Sequence, residues 1–141
     1  KIIIVRTTDF KSITPYKTAP LDSAGTYGAQ VRSFGTFCLM ADTLAPAIVP
    51  MGYKDSVLVS AVSKELAFGI SDDLSGLKSY KLFINDQWVL THYNLKKEKM
   101  IVLPAEINLP TGYYPIRVEA VDNKENRSVF HGVIRWERTG N

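Results

Sequence analysis

Apolar residues recur at every second position in this chain, most clearly between residues 113 and 121. The residues that share one face of that segment are Tyr114, Ile116, Val118 and Ala120. Side chains of a β-strand alternate between its two faces, so this spacing predicts a strand buried on one side. Almost no segment sustains the helical spacing i, i+3, i+4 and i+7 over three turns. The chain is therefore predicted to be built from strands.

Similar alternation over residues 65–71, 79–84 and 128–136 predicts three more strands, separated by turn-forming residues. Asn85 and Asp86 are predicted to form a tight hairpin. Pro46 and Pro50 lack an N–H group, so the segment between them is predicted to be an edge strand or a linker.

Short strands with turns every 8–12 residues are typical of an antiparallel sandwich. We therefore predict an all-β fold, an immunoglobulin-like antiparallel β-sandwich over residues 44–141. Residues 1–43 are predicted to be an N-terminal β extension or the edge of a preceding domain. The apolar segment Ile2–Val5 needs a cover, and we expect it to pair with a strand at Val31–Leu39.

Composition narrows the class of partner. The chain has 141 residues, 45% hydrophobic and 22% charged, which suits one soluble globular domain. Its net charge of +3 is spread along the chain, and the densest basic run, at residues 96–99, is interrupted by Glu98. A nucleic-acid partner is not expected, because that function needs a basic face with stacking aromatic residues. No apolar segment is long enough to span a membrane.

Catalytic residues are sparse. Cys38 lies in an apolar run, which favours a buried structural thiol over a nucleophile. His92 and His131 are far from Cys38 in the sequence and belong to no zinc-binding motif. No G-x-S-x-G elbow or phosphate-binding glycine loop occurs. The sequence therefore predicts no catalytic residues and no enzyme activity for this chain.

One group of polar residues is expected to meet at a single pole of the sandwich. Its members lie before the first strand or in the turns after the second and sixth: Asp42, Asp72, Asp73, Asp122 and Asn126. The favoured interpretation is that each aspartate caps its own turn. The alternative is that these hard oxygen ligands bind calcium at a domain junction. No other cofactor is predicted.

Three segments together resemble a known family: "RSFGTFCLMADTLAPAIVP" (32–50), "FGISDDLSGLKSYKLFINDQWVL" (68–90) and "LPTGYYPIRVEAVDNKENRS" (109–128). They are similar to the C-terminal immunoglobulin-like domain of bacterial lysostaphin-type zinc endopeptidases, which hydrolyse peptidoglycan. The resemblance implies a periplasmic or cell-envelope location and a catalytic domain earlier in the same chain, because the zinc-binding histidine motifs are absent here. Glu125 departs from the family, which usually has glycine at that position in the last turn.

Tyr114 follows Leu109 and Gly112 at the start of the clearest strand, as in the tyrosine corner of such sandwiches, where the hydroxyl bonds to upstream backbone. The first functional hypothesis is a non-catalytic accessory module of an envelope peptidoglycan hydrolase. It would position the catalytic domain, or bind a wall component or a partner protein.

The alternative is an independent carbohydrate- or peptide-binding module, with an aromatic platform formed by Trp88, Tyr93 and Tyr53. A self-standing hydrolase is the third hypothesis. Retention on peptidoglycan or polysaccharide would favour the second, and wall hydrolysis by the chain alone would favour the third.

Overall fold

A computed structural model describes residues 1–9, 11–54, 57–60, 65–103 and 107–137, with residues 53–54 and 57–60 described by their backbone alone. The regular secondary structure of these residues consists of strands, in the following order: β1 (Ile2–Thr7), β2 (Ile13–Tyr16), β3 (Thr36–Ala41), β4 (Ala47–Met51), β5 (Tyr53–Lys54), β6 (Val57–Ser60), β7 (Leu66–Ser71), β8 (Leu77–Ile84), β9 (Gln87–Val89), β10 (His92–Asn94), β11 (Lys99–Val102), β12 (Gly112–Asp122) and β13 (Arg127–Trp136). Within the described residues, no helix is long and apolar enough to cross a membrane.

Two sheets form the sandwich. One has the strand order β10-β11-β7-β4 and the other β5-β6-β13-β12-β8-β9, and the pairs are antiparallel except for β6 with β13. If β4, β7, β8, β10, β11, β12 and β13 are read as strands A to G, the sheets contain the A-B-E-D and C-F-G neighbours of an immunoglobulin fold. The predicted all-β immunoglobulin-like sandwich is therefore confirmed.

The core lies between these two sheets and takes one face of each strand. In β12 the buried residues Ile116, Val118 and Ala120 alternate with exposed or half-buried ones, as the period-two pattern predicts. The largest side chains buried with them are Phe68, Ile70, Leu82, Ile84, Met100 and Ile134. Full burial of each large apolar side chain stabilises the fold by about 1.5–3 kcal/mol.

Asn85 and Asp86 form the tight turn between β8 and β9. Asn85 and Asp86 both have positive φ, 51° and 59°. Two consecutive residues with positive φ form a type I′ turn, whose twist matches that of the two flanking strands. Asn and Asp tolerate this left-handed conformation. The predicted tight hairpin is confirmed. The predicted edge strand is also confirmed, because β4 lies at the edge of its sheet and pairs with β7 alone.

The tyrosine corner is present at the start of β12. The hydroxyl of Tyr114 donates a hydrogen bond of 2.9 Å to the carbonyl of Pro110, four residues upstream. The Tyr114 ring packs against the core, while the neighbouring Tyr113 points outward. The prediction that Tyr114 is the inward ring is therefore confirmed.

Residues 1–43 form a separate sheet with the order β2-β1-β3. The predicted pairing of the apolar N-terminal segment is confirmed in β1 with β3, where Val5 is opposite Cys38. The strand is shorter than expected, because residues 31–35 fold over Arg6. The Arg6 guanidinium donates to the Ser33 hydroxyl, and its side chain lies against Gly35, where a Cβ would be 2.9 Å from Arg6 Cδ. The division of the chain at residue 43 stays a prediction.

Candidate functional site

Three carboxylates meet at one pole of the sandwich, as the sequence predicts. Asp42 follows β3, Asp72 follows β7 and Asp122 ends β12, and one oxygen of each lies within 4.8 Å of the other two. Asp42 and Asp122 are completely buried, and Asp72 is half-buried. Asp73 is exposed and does not belong to this group. We call Asp42, Asp72, Asp122 and the adjoining Asn126 the polar junction.

Asp122 caps its own turn. Its Oδ1 accepts hydrogen bonds from the backbone N–H groups of Lys124 (2.7 Å) and Asn126 (2.8 Å). Its Oδ2 accepts a third hydrogen bond of 2.7 Å from the Asn126 side-chain amide. A buried carboxylate needs such donors, because removing its charge from water without partners costs several kcal/mol.

Asn126 connects the sandwich to the N-terminal sheet. Its amide also lies 3.1 Å from the backbone carbonyl of Asp42 and 3.4 Å from its Oδ1. Its side-chain oxygen accepts a hydrogen bond from the ammonium group of Lys1, at the start of β1. The backbone N–H of Asp42 donates to the carbonyl of Lys1 over 2.8 Å. The two ends of the N-terminal sheet therefore meet one buried amide of the sandwich.

Asp72 closes the turn after β7 and is affected electrostatically by its neighbours. Its Oδ2 accepts a hydrogen bond of 2.7 Å from the Gly76 backbone N–H, and Asp42 Oδ2 accepts one of 3.2 Å from Ser75. Desolvation raises the pKa of Asp72, and the negative charges of Asp42 and Asp122 raise it further. Like charges at this distance disfavour the ionised form of Asp72.

The N–H donors around these carboxylates bear on the two interpretations of the polar junction. Calcium takes six to eight oxygen ligands, and carboxylate oxygens suit it. Here both oxygens of Asp122, both of Asp42 and one of Asp72 already accept hydrogen bonds from N–H groups. These contacts favour the interpretation in which the aspartates cap turns and join the two parts of the chain.

The predicted aromatic platform is not assembled as expected. Trp88 is 58% exposed on the outer face of the larger sheet. Tyr93 belongs to the other sheet and turns inward: its hydroxyl donates a 2.6 Å hydrogen bond to the Ile70 carbonyl, and its ring stacks on Tyr80 at 5.0 Å. Burial, followed by the negative charge of Glu98, raises the pKa of the Tyr93 hydroxyl. The structure therefore does not bring Tyr93 beside Trp88, and the Tyr53 side chain lies outside the described residues.

The structure places other neighbours beside Trp88. Phe83 is opposite Trp88 across the β8–β9 pair, and Arg117 is opposite Phe83 on β12. The Arg117 guanidinium lies 4.1 Å from the centre of the Phe83 ring, a cation–π contact, and also bonds Glu119. Sequence reasoning missed this outer face, because the strand register that aligns these residues cannot be read from alternation within one strand.

The thiol of Cys38 and the two imidazoles are not brought together. Cys38 lies on β3, His92 on β10 and His131 on β13, which belong to three different sheets. Both histidines are exposed. Among the described residues, the group of three or more metal-ligating side chains is the acidic one at the polar junction.

A cleft of about 550 Å³ separates the N-terminal sheet from the pole of the sandwich. Residues 15–18 with Ile3 line one side of it, and residues 72–76 with Asn123 and Lys124 line the other. Its volume is in the range of ligand-binding pockets. The sequence gives no signal for it, since it depends on how residues 1–43 meet the sandwich. We call it the junction cleft.

Comparison with known proteins identifies no family. No family model matches the chain. A search of curated proteins likewise finds none that is significantly similar. The site is therefore interpreted from its own geometry.

Proposed function

We propose that this chain is a non-catalytic accessory module of a cell-envelope peptidoglycan hydrolase. It positions the catalytic domain of that enzyme, or binds a wall component or a partner protein, in the periplasm or cell envelope. The motifs shared with the C-terminal domain of lysostaphin-type endopeptidases support this proposal, and the immunoglobulin-like strand order is consistent with it.

The polar junction is the observation that carries the proposal. Asn126 of the sandwich contacts Asp42 and Lys1 of the N-terminal sheet in a largely buried network. Side-chain networks that are fully hydrogen-bonded rigidify the elements that they join. A domain attached through this sheet would be held at a fixed angle to the sandwich, which is what a positioning module requires.

The placement of the reactive side chains supports a non-catalytic role. A hydrolase needs a nucleophile or a metal-bound water with a base in hydrogen-bonding distance. Cys38, His92 and His131 lie on separate sheets, and neither histidine is buried beside a carboxylate in the described part of the chain.

Purified peptidoglycan sacculi test this proposal directly. The 141-residue chain is incubated with dye-labelled sacculi, with and without zinc, and both sedimentation and dye release are measured. We expect the chain to sediment with the sacculi and to release no dye. Dye release would contradict the non-catalytic role. Absence of sedimentation would contradict wall binding and leave the positioning role, which small-angle scattering of the parent enzyme tests through its interdomain distance.

A second candidate function is carbohydrate binding at the outer face of the larger sheet. Trp88 presents an exposed indole there, beside Phe83 and the Arg117–Glu119 ion pair. Aromatic rings stack on the apolar faces of sugars, and neighbouring charged groups can bond their hydroxyls. Because Arg117 is paired with Glu119, this face suits an uncharged glycan.

The Trp88→Ala variant tests this second function. We expect it to lose retention on insoluble chitin, a neutral polysaccharide, while keeping its melting temperature. Leu95→Ala is the matched control, because Leu95 is also exposed but lies in the turn between β10 and β11. Equal retention of the two variants would contradict glycan binding at Trp88.

A further inference from the structure

The two sides of the junction cleft carry charges of both signs. Lys17 lies on the side of the N-terminal sheet, and Lys124 and Asp73 lie on the side of the sandwich. Lys17 and Asp73 are exposed, and Lys124 is half-buried. The cleft is therefore lined by two lysines and one exposed aspartate, next to Asp72, whose carboxylate is held by the Gly76 backbone N–H.

These three charges do not neutralise one another. Ion pairs do form elsewhere among the described residues, as between Lys78 and Glu125 or Lys99 and Glu65, but none of them includes Lys17, Lys124 or Asp73. The ammonium groups thus lie more than 4.0 Å from the carboxylate. Charges held apart in one cleft are complementary to a ligand with opposite charges at a matching separation.

The remaining lining suits a short peptide. Pro15 and Leu74 contribute apolar surface, since Pro15 is exposed and Leu74 half-buried. The Asn123 amide is engaged with the carbonyls of Ser75 and Gly76, which holds that side of the cleft in place. A small apolar side chain can lie on this surface while charged groups of the same ligand reach the lysines and the aspartate.

We propose that the junction cleft binds a short zwitterionic peptide, with the peptide's carboxylates at Lys17 and Lys124 and its ammonium group at Asp73. The inference rests on the proposed function and deepens it, because it makes the peptide part of the wall, and not its glycan, the recognised component.

The probe is the free tripeptide Ala-Glu-Lys, which carries two ammonium groups and two carboxylates on a short chain. Its counterpart is the acetylated and amidated peptide Ala-Gln-Ala, which has a similar backbone and no charge. Binding to the full 141-residue chain is measured by the shift of backbone amide NMR signals. We expect the free peptide to shift signals of residues 72–76 and 123–124, and the capped peptide to shift none.

Substitution of each charged residue in turn tests its contribution to peptide binding. Lys17→Ala, Lys124→Ala and Asp73→Asn should each weaken binding of the free peptide by about three- to fivefold, as for partly exposed ion pairs. Lys96→Ala is the matched control, because Lys96 is exposed in the turn between β10 and β11 and contributes nothing to the cleft. Added salt should weaken binding to the unmodified chain, since such charges are screened.

The outcomes separate this inference from the proposed function. Equal binding of the capped peptide, or no loss in the three variants relative to Lys96→Ala, would overturn the cleft assignment. If the free peptide does not bind but the chain still sediments with sacculi, the assignment is wrong and the proposed function stands. If the peptide binds with the expected charge dependence but sacculi do not retain the chain, the cleft is a peptide site and the wall-binding part of the proposed function is wrong.

Discussion

The side-chain amide of Asn126 donates a 2.7 Å hydrogen bond to the buried carboxylate of Asp122 and lies 3.1 Å from the backbone carbonyl of Asp42. One amide group therefore connects the turn after β12 to the end of the N-terminal sheet. Hydrogen bonds within the turn would be enough to cap it, but this amide also contacts residue Asp42, outside the sandwich. The contact therefore joins the sandwich to the N-terminal sheet through one buried side chain.

Replacing that amide should cost more than one hydrogen bond. Asn126→Leu has a similar shape but removes the side-chain donor to the Asp122 carboxylate and the Asp42 carbonyl, so we expect a loss of about 2–4 kcal/mol in the free energy of unfolding. Urea denaturation followed by tryptophan fluorescence measures it. Asn108→Leu is the control, because Asn108 is exposed. Equal stability of the two variants would show that the junction contributes nothing.

Because the pKa of Asp72 is raised, we expect the effect of Asp72→Asn on stability to depend on pH. Desolvation, then the charges of Asp42 and Asp122, keep its folded pKa above the ordinary aspartate value of 3.8. The protonated form is favoured in the folded state, so this contribution to stability is present below pH 3.8 and is lost as the pH rises through the folded pKa. Asp72→Asn keeps the acceptor for Gly76 and removes the charge.

We therefore expect Asp72→Asn to gain stability over the unmodified chain at neutral pH, by about 0.5 kcal/mol given its partial exposure, and to gain none below pH 3.8. Denaturation curves at the two pH values measure the difference. The exposed neighbour substitution Asp73→Asn should give no such pH dependence. A loss of stability for Asp72→Asn at neutral pH would mean that its charge is needed there.

Adding calcium tests whether the carboxylates of the polar junction bind a metal ion. Because N–H donors already occupy oxygens of all three aspartates, we expect the melting temperature to be the same in millimolar calcium chloride and in chelator. Differential scanning calorimetry checks this. A calcium-dependent rise would contradict the capping interpretation and assign the site to the metal.

The alternation of residues predicted most of the sandwich. The strand over residues 113–121 corresponds to β12 with its buried even-numbered face, because period two follows directly from strand geometry. The pole of aspartates was also predictable, since the strand order of an immunoglobulin fold brings those turns together. The role of Tyr93 was not, because the choice of face for a three-residue strand depends on its pairing with Met100.

The junction cleft and the neighbours of Trp88 lay beyond prediction for a related reason. Both depend on how segments far apart in sequence come together, such as those of Lys17 and Lys124 on the two sides of the cleft, or Phe83 with Arg117 across β8 and β12. Alternation within a strand states which residues share a face, but not which strands are neighbours.

Glu125 occupies a position where glycine would fit the backbone better. Its φ is 63°, in the left-handed region that costs a residue with a Cβ about 1–2 kcal/mol. Its ion pair with Lys78 is exposed and contributes little. We expect Glu125→Gly to be about 1 kcal/mol more stable than Glu125→Ala, since both remove the ion pair and only glycine relieves the backbone. Chemical denaturation of the two variants measures this, and equal stabilities would contradict the strain.

Two adjacent tyrosines provide an internal control for the tyrosine corner. Tyr114 bonds the Pro110 carbonyl, whereas Tyr113 is 66% exposed on the outer face of the same strand. Tyr114→Phe keeps the ring in the core and removes only the hydroxyl, so we expect a loss of about 1 kcal/mol in the free energy of unfolding. Tyr113→Phe should change it by a few tenths at most. Urea denaturation of both variants compares them, and a Tyr114→Phe variant as stable as Tyr113→Phe would mean that the corner holds by ring packing and not by its hydrogen bond.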